Sequence, residues 1–65
     1  MRHIAVLIDE VTEQPIEFVA WAEGATIVLE HPIDHGRFRH RFLESEAEQL
    51  LEVVSEAIGD ARGLP

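Results

Sequence analysis

The hydrophobic pattern of this chain changes its period once, and that change constrains the fold more than any other feature. Up to residue 43 the apolar residues form short runs or alternate strictly, as in "RFRHRFL" at residues 37–43, which is typical of β-strands. From residue 46 onward they recur at helical spacing. The pattern therefore predicts an α+β domain in which all strands precede one helix.

Four strands are predicted, at about residues 3–9, 16–22, 25–31 and 37–43. A two-residue turn at Glu23 and Gly24 would join the second strand to the third, and residues 33–36 would form the next loop. These turns predict an antiparallel meander in which Phe18 lies opposite Leu29 and His31 lies opposite Phe38. One face, the predicted core face, would carry Ile4, Val6, Ile8, Ile16, Phe18, Ala20, Ile27, Leu29, Phe38 and Phe42.

The last third of the chain predicts a helix at about residues 46–59. Ser45 and Glu48 match the capping box, so Ser45 is the predicted N-cap. A single apolar stripe follows at helical spacing: Ala47, Leu50, Leu51, Val54, Ala57, Ile58 and Ala61. We expect this stripe to pack on the core face, which gives a four-stranded antiparallel meander followed by one C-terminal helix (ββββα) in a single domain of residues 1–65.

The length of the chain predicts association. Sixty-five residues, 46% of them hydrophobic, bury a small core, and the absence of cysteine excludes disulfides and thiolate zinc sites. A second copy or a partner protein is the usual remaining source of stability. We therefore expect a homodimer, and in the absence of a signal peptide or membrane span we expect a cytoplasmic protein.

The face opposite the core face combines apolar and charged residues. By strand parity it would carry Leu7, Val19, Trp21 and Val28 together with Arg37, Arg39 and Arg41. An apolar centre with Trp and a charged rim is typical of a protein interface, although the C-terminal tail or the first loop could also cover it. The arginines could instead bind single-stranded nucleic acid. The net charge of -8 and the presence of Glu17 and Glu30 on the same face argue against that alternative.

A second candidate surface is acidic. Five carboxylates recur every four residues and form what we call the acidic ridge: Glu44, Glu48, Glu52, Glu56 and Asp60. A solvated helix face that keeps the protein soluble explains this pattern. The alternative is a surface that docks on a basic partner.

The histidines give a weak metal signal, and the sequence contains no known catalytic motif. His31, His35 and His40 cluster around one loop, but their spacing matches no metal-binding motif, so we predict neither a metal nor a cofactor. We therefore expect a non-catalytic protein-binding module, a regulator or an inhibitor. The alternatives are a single-stranded nucleic-acid-binding protein and a dimer that binds a metal or a small molecule through the histidine loop.

Overall fold

A computed structural model describes residues 1–63. Strands β1 (His3–Ile8), β2 (Pro15–Glu23), β3 (Thr26–Ile33) and β4 (Gly36–Leu43) form one antiparallel sheet in the order β1-β2-β3-β4. Helix α1 (Glu44–Gly63) follows and packs on one face of the sheet. The predicted ββββα fold class is confirmed, and α1 extends beyond the predicted helix at both ends.

The turn between β2 and β3 lies one residue later than predicted. Glu23 pairs with Thr26, so Gly24 and Ala25 form the turn, and Gly24 has a φ of 60°. Glycine adopts this conformation readily and is favoured at the first position of such hairpin turns. The predicted pairing of Phe18 with Leu29 is wrong, because Leu29 lies opposite Ala20. The register moves by two residues, so the side chains of β2 and β3 keep their predicted faces.

The turn between β3 and β4 has the predicted register. His31 lies opposite Phe38 and Glu30 lies opposite Arg39. The last strand pair is Ile33 and Gly36, which leaves two residues for the turn. The strict alternation in β4 places its apolar residues on one face and its arginines on the other, and a slip of one residue would exchange the two faces.

The side chains of strand β1 lie on the opposite faces of the sheet from those predicted. Leu7 lies opposite Ile16, whereas the expected register placed Ile8 near Phe18. The difference is an odd number of residues, which turns every side chain of the strand over. Leu7 therefore lies on the face of Phe18, and three predicted core residues lie on the face of Val19: Ile4, Val6 and Ile8.

The loop between β1 and β2 sets this register. Asp9 Oδ1 accepts hydrogen bonds from the backbone nitrogens of Val11, at 2.7 Å, and Thr12, at 3.0 Å. These bonds, that of Thr12 first, lower the pKa of Asp9. Glu13 has a φ of 60° and donates its backbone N–H to Asp9 O. The loop is closed by its own hydrogen bonds, so it holds Ile8 opposite Pro15.

Helix α1 begins directly after β4, and the predicted N-cap is wrong. Ser45 lies inside the first turn, because the helix starts at Glu44. The backbone N–H of Leu43 donates to Glu46 Oε1 at 2.8 Å. This contact is the glutamate half of a capping box with Leu43 in the N-cap position. Glu44 and Glu46 in the first turn and Arg62 in the last also suit the helix dipole.

The two sheet faces differ in burial. We call the side under α1 the helix-side face and the opposite side the arginine face. Within residues 1–63, Val19 and Val28 are the buried apolar side chains, with 5% and 0% of their surface exposed, and both lie on the arginine face. No described residue of α1 is buried. The radius of gyration is 13.9 Å, whereas a compact chain of this length has about 11 Å. The single chain is therefore open on its helix side.

Candidate interaction surfaces

An ion-pair network covers the part of the arginine face that is formed by β3 and β4. Glu30 is 7% exposed, and its two carboxylate oxygens accept hydrogen bonds from Arg37 Nε and Arg39 Nε, each at 2.6 Å. These bonds, that from Arg39 first, lower the pKa of Glu30. Arg37 Nη2 also donates to the backbone oxygen of Glu17 at 3.2 Å. The contacts hold β4 against β3 and leave Glu30 as an ionised, fully paired carboxylate.

Trp21 lies under arginines on the same face. The guanidinium carbon of Arg2 stands 4.1 Å from the ring centroid, and that of Arg39 stands 5.4 Å away. Glu23 accepts hydrogen bonds from Arg41 Nη1 at 2.9 Å and from Trp21 Nε1 at 3.4 Å. These contacts, that of Arg41 first, lower the pKa of Glu23. The indole is thus covered by cations of its own chain.

The structure brings together six of the seven residues of the predicted protein interface around Trp21. Val19, Trp21, Val28 and the three arginines share the arginine face, while Leu7 lies on the helix-side face. Val19 and Val28 are buried beneath the charged layer, so they are not available to a partner. Arg37, Arg39 and Arg41 each have a carboxylate partner. A phosphate group would have to displace Glu30 or Glu23 to reach them.

The helix-side face presents an open apolar cleft that was not predicted from the sequence. It has a volume of about 450 Å³ and separates α1 from the sheet. Its lining is apolar throughout: Ala20, Ile27, Leu29 and Phe42 from the sheet, and Ala47, Leu50, Leu51 and Val54 from the helix. The apolar stripe therefore faces the sheet as predicted, but the helix and the sheet are not in close contact along the cleft.

Helix α1 covers one half of the helix-side face. Its backbone approaches β4 and β3, and within residues 1–63 it does not approach β1 or β2. The uncovered half carries Leu7 from β1 and Phe18 from β2. Leu51, which points into the cleft, is 66% exposed. An apolar sheet face left open to this extent is typical of an association surface.

Two histidines meet on the helix-side face. His31 Nε2 and His40 Nε2 lie 3.0 Å apart, and both rings are partly buried. They stand in a row of aromatic side chains that includes Phe18, Phe38 and Phe42. His35 lies in the turn between β3 and β4, away from this pair in the register. In the part of the chain that the structure describes, no three His, Asp or Glu side chains are grouped to hold a metal ion.

The acidic ridge runs obliquely along the exposed surface of α1. All five carboxylates are exposed, and none of them forms an ion pair within residues 1–63. Residues four apart drift by about 40° around a helix, so Glu44 and Glu48 lie beside Leu51 at the edge of the cleft. The remaining three carboxylates, Glu52, Glu56 and Asp60, point away from the cleft.

No family model, curated protein or solved structure matches this chain. Within the described residues 1–63, the structure contains no helix that is both long and apolar enough to cross a membrane.

Proposed function

We propose that this protein is a small acidic, non-catalytic protein-interaction module that works as a homodimer. The observation that carries the proposal is the open helix-side face, where an apolar helix stripe and an apolar half-sheet both lack a partner within residues 1–63. Within residues 1–63 the buried apolar side chains are two valines, which is a small core for a chain of this size. A second copy would bury both unpartnered surfaces at once.

The position of the helix favours a second copy. Within residues 1–63, α1 approaches β3 and β4 and does not approach β1 or β2. The distal part of the stripe, with Ile58 and Ala61, is not part of the cleft lining, and Ile58 is 45% exposed. In a two-fold dimer this part would lie over β1 and β2 of the partner subunit, and the reverse contact would follow by symmetry.

The acidic ridge supports a role toward a third molecule. Glu52, Glu56 and Asp60 are exposed and point away from the cleft, so a dimer built on the helix-side face would display this part of both ridges to solvent. Carboxylates at successive turns suit a basic protein surface and would speed encounter with it. We include in the proposal that the dimer regulates or inhibits such a partner.

The dimer is tested by sedimentation equilibrium on the wild type and two matched variants. Leu51→Glu places a charge in the cleft, and Val53→Glu places the same charge on the same helix, outside the cleft lining. The two residues are 66% and 62% exposed, so neither substitution disturbs the fold of a single chain. We expect a wild-type dimer that Leu51→Glu dissociates and Val53→Glu leaves intact. A monomeric wild type would refute the proposal.

The variant Trp21→Glu tests which of the two sheet faces forms the dimer contact. On the arginine face the indole of Trp21 is already covered by Arg2 and Arg39, so we expect the mass of the assembly to stay that of the wild type. A dimer that Trp21→Glu dissociates and Leu51→Glu does not would move the interface to the arginine face.

A small-molecule-binding dimer is the second candidate, because the cleft volume of about 450 Å³ lies within the range of ligand pockets. Titration of 1-anilinonaphthalene-8-sulfonate against increasing protein concentration distinguishes the two functions. Dye fluorescence per chain falls as copies fill each other's clefts, and stays constant if the cleft remains open to ligands in the dimer.

A further inference from the structure

The His31 and His40 rings can share only a limited number of protons. His31 Nδ1 lies 3.1 Å from the backbone oxygen of Pro32, so it carries a hydrogen and donates it. In the neutral state His31 Nε2 is therefore an acceptor, and His40 Nε2 is the donor across the 3.0 Å contact. If both rings become imidazolium ions, two N–H groups and two positive charges face each other. That state breaks the contact.

The pair lies inside the proposed dimer surface. Both rings are on the helix-side face, and His40 stacks on Phe42, which lines the cleft. Phe18 packs against His31 from the half of the sheet that α1 leaves uncovered. A second copy placed there would surround the imidazoles with apolar groups, where a charged ring costs more than in water.

We propose that protonation of the His31–His40 pair dissociates the dimer on mild acidification. The inference rests on the proposed homodimer and adds its regulation. The dimer would bind fewer protons than two free chains, so acidification favours the free chains. The relevant range is about pH 7.5 to 5.5, in which an imidazole ordinarily becomes charged.

Among the other groups near this surface, only the imidazoles could give a response of the same sign. His3 is on the same sheet face on β1, and Asp34 and His35 occupy the turn beside the pair. The charged groups of β3 and β4 that form ion pairs, Glu30 and the three arginines, are on the arginine face. From α1, Glu44 and Glu48 lie beside Leu51 at the edge of the cleft, where they are exposed and add to the negative charge of the surface.

The general charge of the chain acts in the opposite direction. Two copies of a protein with a net charge of -8 repel each other, and this repulsion decreases as the pH approaches the isoelectric point of about 4.7. Without the histidine pair, acidification would strengthen the dimer. The sign of the pH dependence therefore separates an imidazole from the general charge, and the double variant below separates the His31–His40 pair from His3 and His35.

The test is the dissociation constant of the full chain by sedimentation equilibrium at pH 7.5 and 5.5. The variants are the double substitution His31→Gln and His40→Gln, which keeps a neutral polar pair, and the control His35→Gln in the turn. We expect the dissociation constant of the wild type and of His35→Gln to rise roughly tenfold or more at pH 5.5. For the double variant we expect no rise or a fall. Circular dichroism at each pH shows that the chains stay folded.

A double variant that loses affinity on acidification as the wild type does would overturn the inference, as would a wild-type dimer whose affinity does not change with pH. In either case the proposal of a homodimer would be unaffected. A wild type that is monomeric at pH 7.5 would refute the homodimer itself, so the two failures are distinguishable.

Discussion

Glu30 and Arg39 lie directly opposite each other on β3 and β4, and Arg39 Nε donates to Glu30 Oε2 at 2.6 Å. Arg37 holds the other carboxylate oxygen from two residues away on the same strand. One carboxylate of β3 therefore pairs with two arginines of β4. The basic run of β4 thus stabilises the contact between these two strands.

Loss of the Glu30 carboxylate should destabilise the fold. In Glu30→Gln the amide group cannot accept both guanidinium hydrogen bonds, and two arginines lose their charge partner. We expect the melting temperature to fall by roughly 5 °C, measured by circular dichroism at fixed protein concentration. Glu17→Gln is the control, because Glu17 contacts Arg37 through its backbone oxygen. Equal changes in the two variants would contradict the assignment.

The lowered pKa values of Glu30 and Glu23 predict a loss of stability in acid. Both are held below the ordinary value of 4.5 by hydrogen bonds from arginines. As the pH falls through 4.5, the unfolded carboxylates bind protons before the folded ones do, which favours unfolding. The contribution is complete at about pH 6 and is lost as the pH falls through the folded pKa values. Urea midpoints between pH 6.5 and 3 measure this slope, which should be shallower in Glu30→Gln.

Two glycines should respond oppositely to alanine. Gly24 has a φ of 60° in its turn, so Gly24→Ala forces an unfavourable backbone conformation and should cost about 1 kcal/mol. Gly59 lies inside α1 with no atom within 4 Å of an added Cβ. Gly59→Ala should stabilise the protein by about 0.5 to 1 kcal/mol. Urea denaturation at one protein concentration measures both, and a stabilising Gly24→Ala would be inconsistent with the turn described.

Single-stranded nucleic acid should not bind through β4. Arg37, Arg39 and Arg41 are paired with Glu30 and Glu23, and the chain has a net charge of -8. We expect no change in the fluorescence anisotropy of a labelled oligonucleotide, even at low salt. Binding that weakens steeply with salt and disappears when the three arginines are replaced by glutamine would establish the nucleic-acid function instead.

The part of the interaction surface that depends on strand parity could be predicted from the sequence. Side chains alternate between the two faces along β2 and β4, so the face that Trp21 and Arg39 share follows from the period of the strands. The coverage of Trp21 by Arg2 and Arg39 could not be predicted, because it depends on the path of the chain before β1 and on side-chain conformation. The meeting of His31 and His40 likewise depends on a diagonal contact between strands and not on their spacing.

The amino-acid sequence by itself determined the order of the elements, the antiparallel meander and the faces on which the side chains of β2, β3 and β4 lie. Each of these follows from a change of hydrophobic period or from a strand with one apolar and one charged face. Only the tertiary structure decided the register of β1 and the closure of the helix side. Residues 4–8 are apolar on both faces, so the hydrogen bonds around Asp9 choose the register. Within residues 1–63 the helix approaches β3 and β4 and not β1 or β2, so its stripe packs on the sheet only in part.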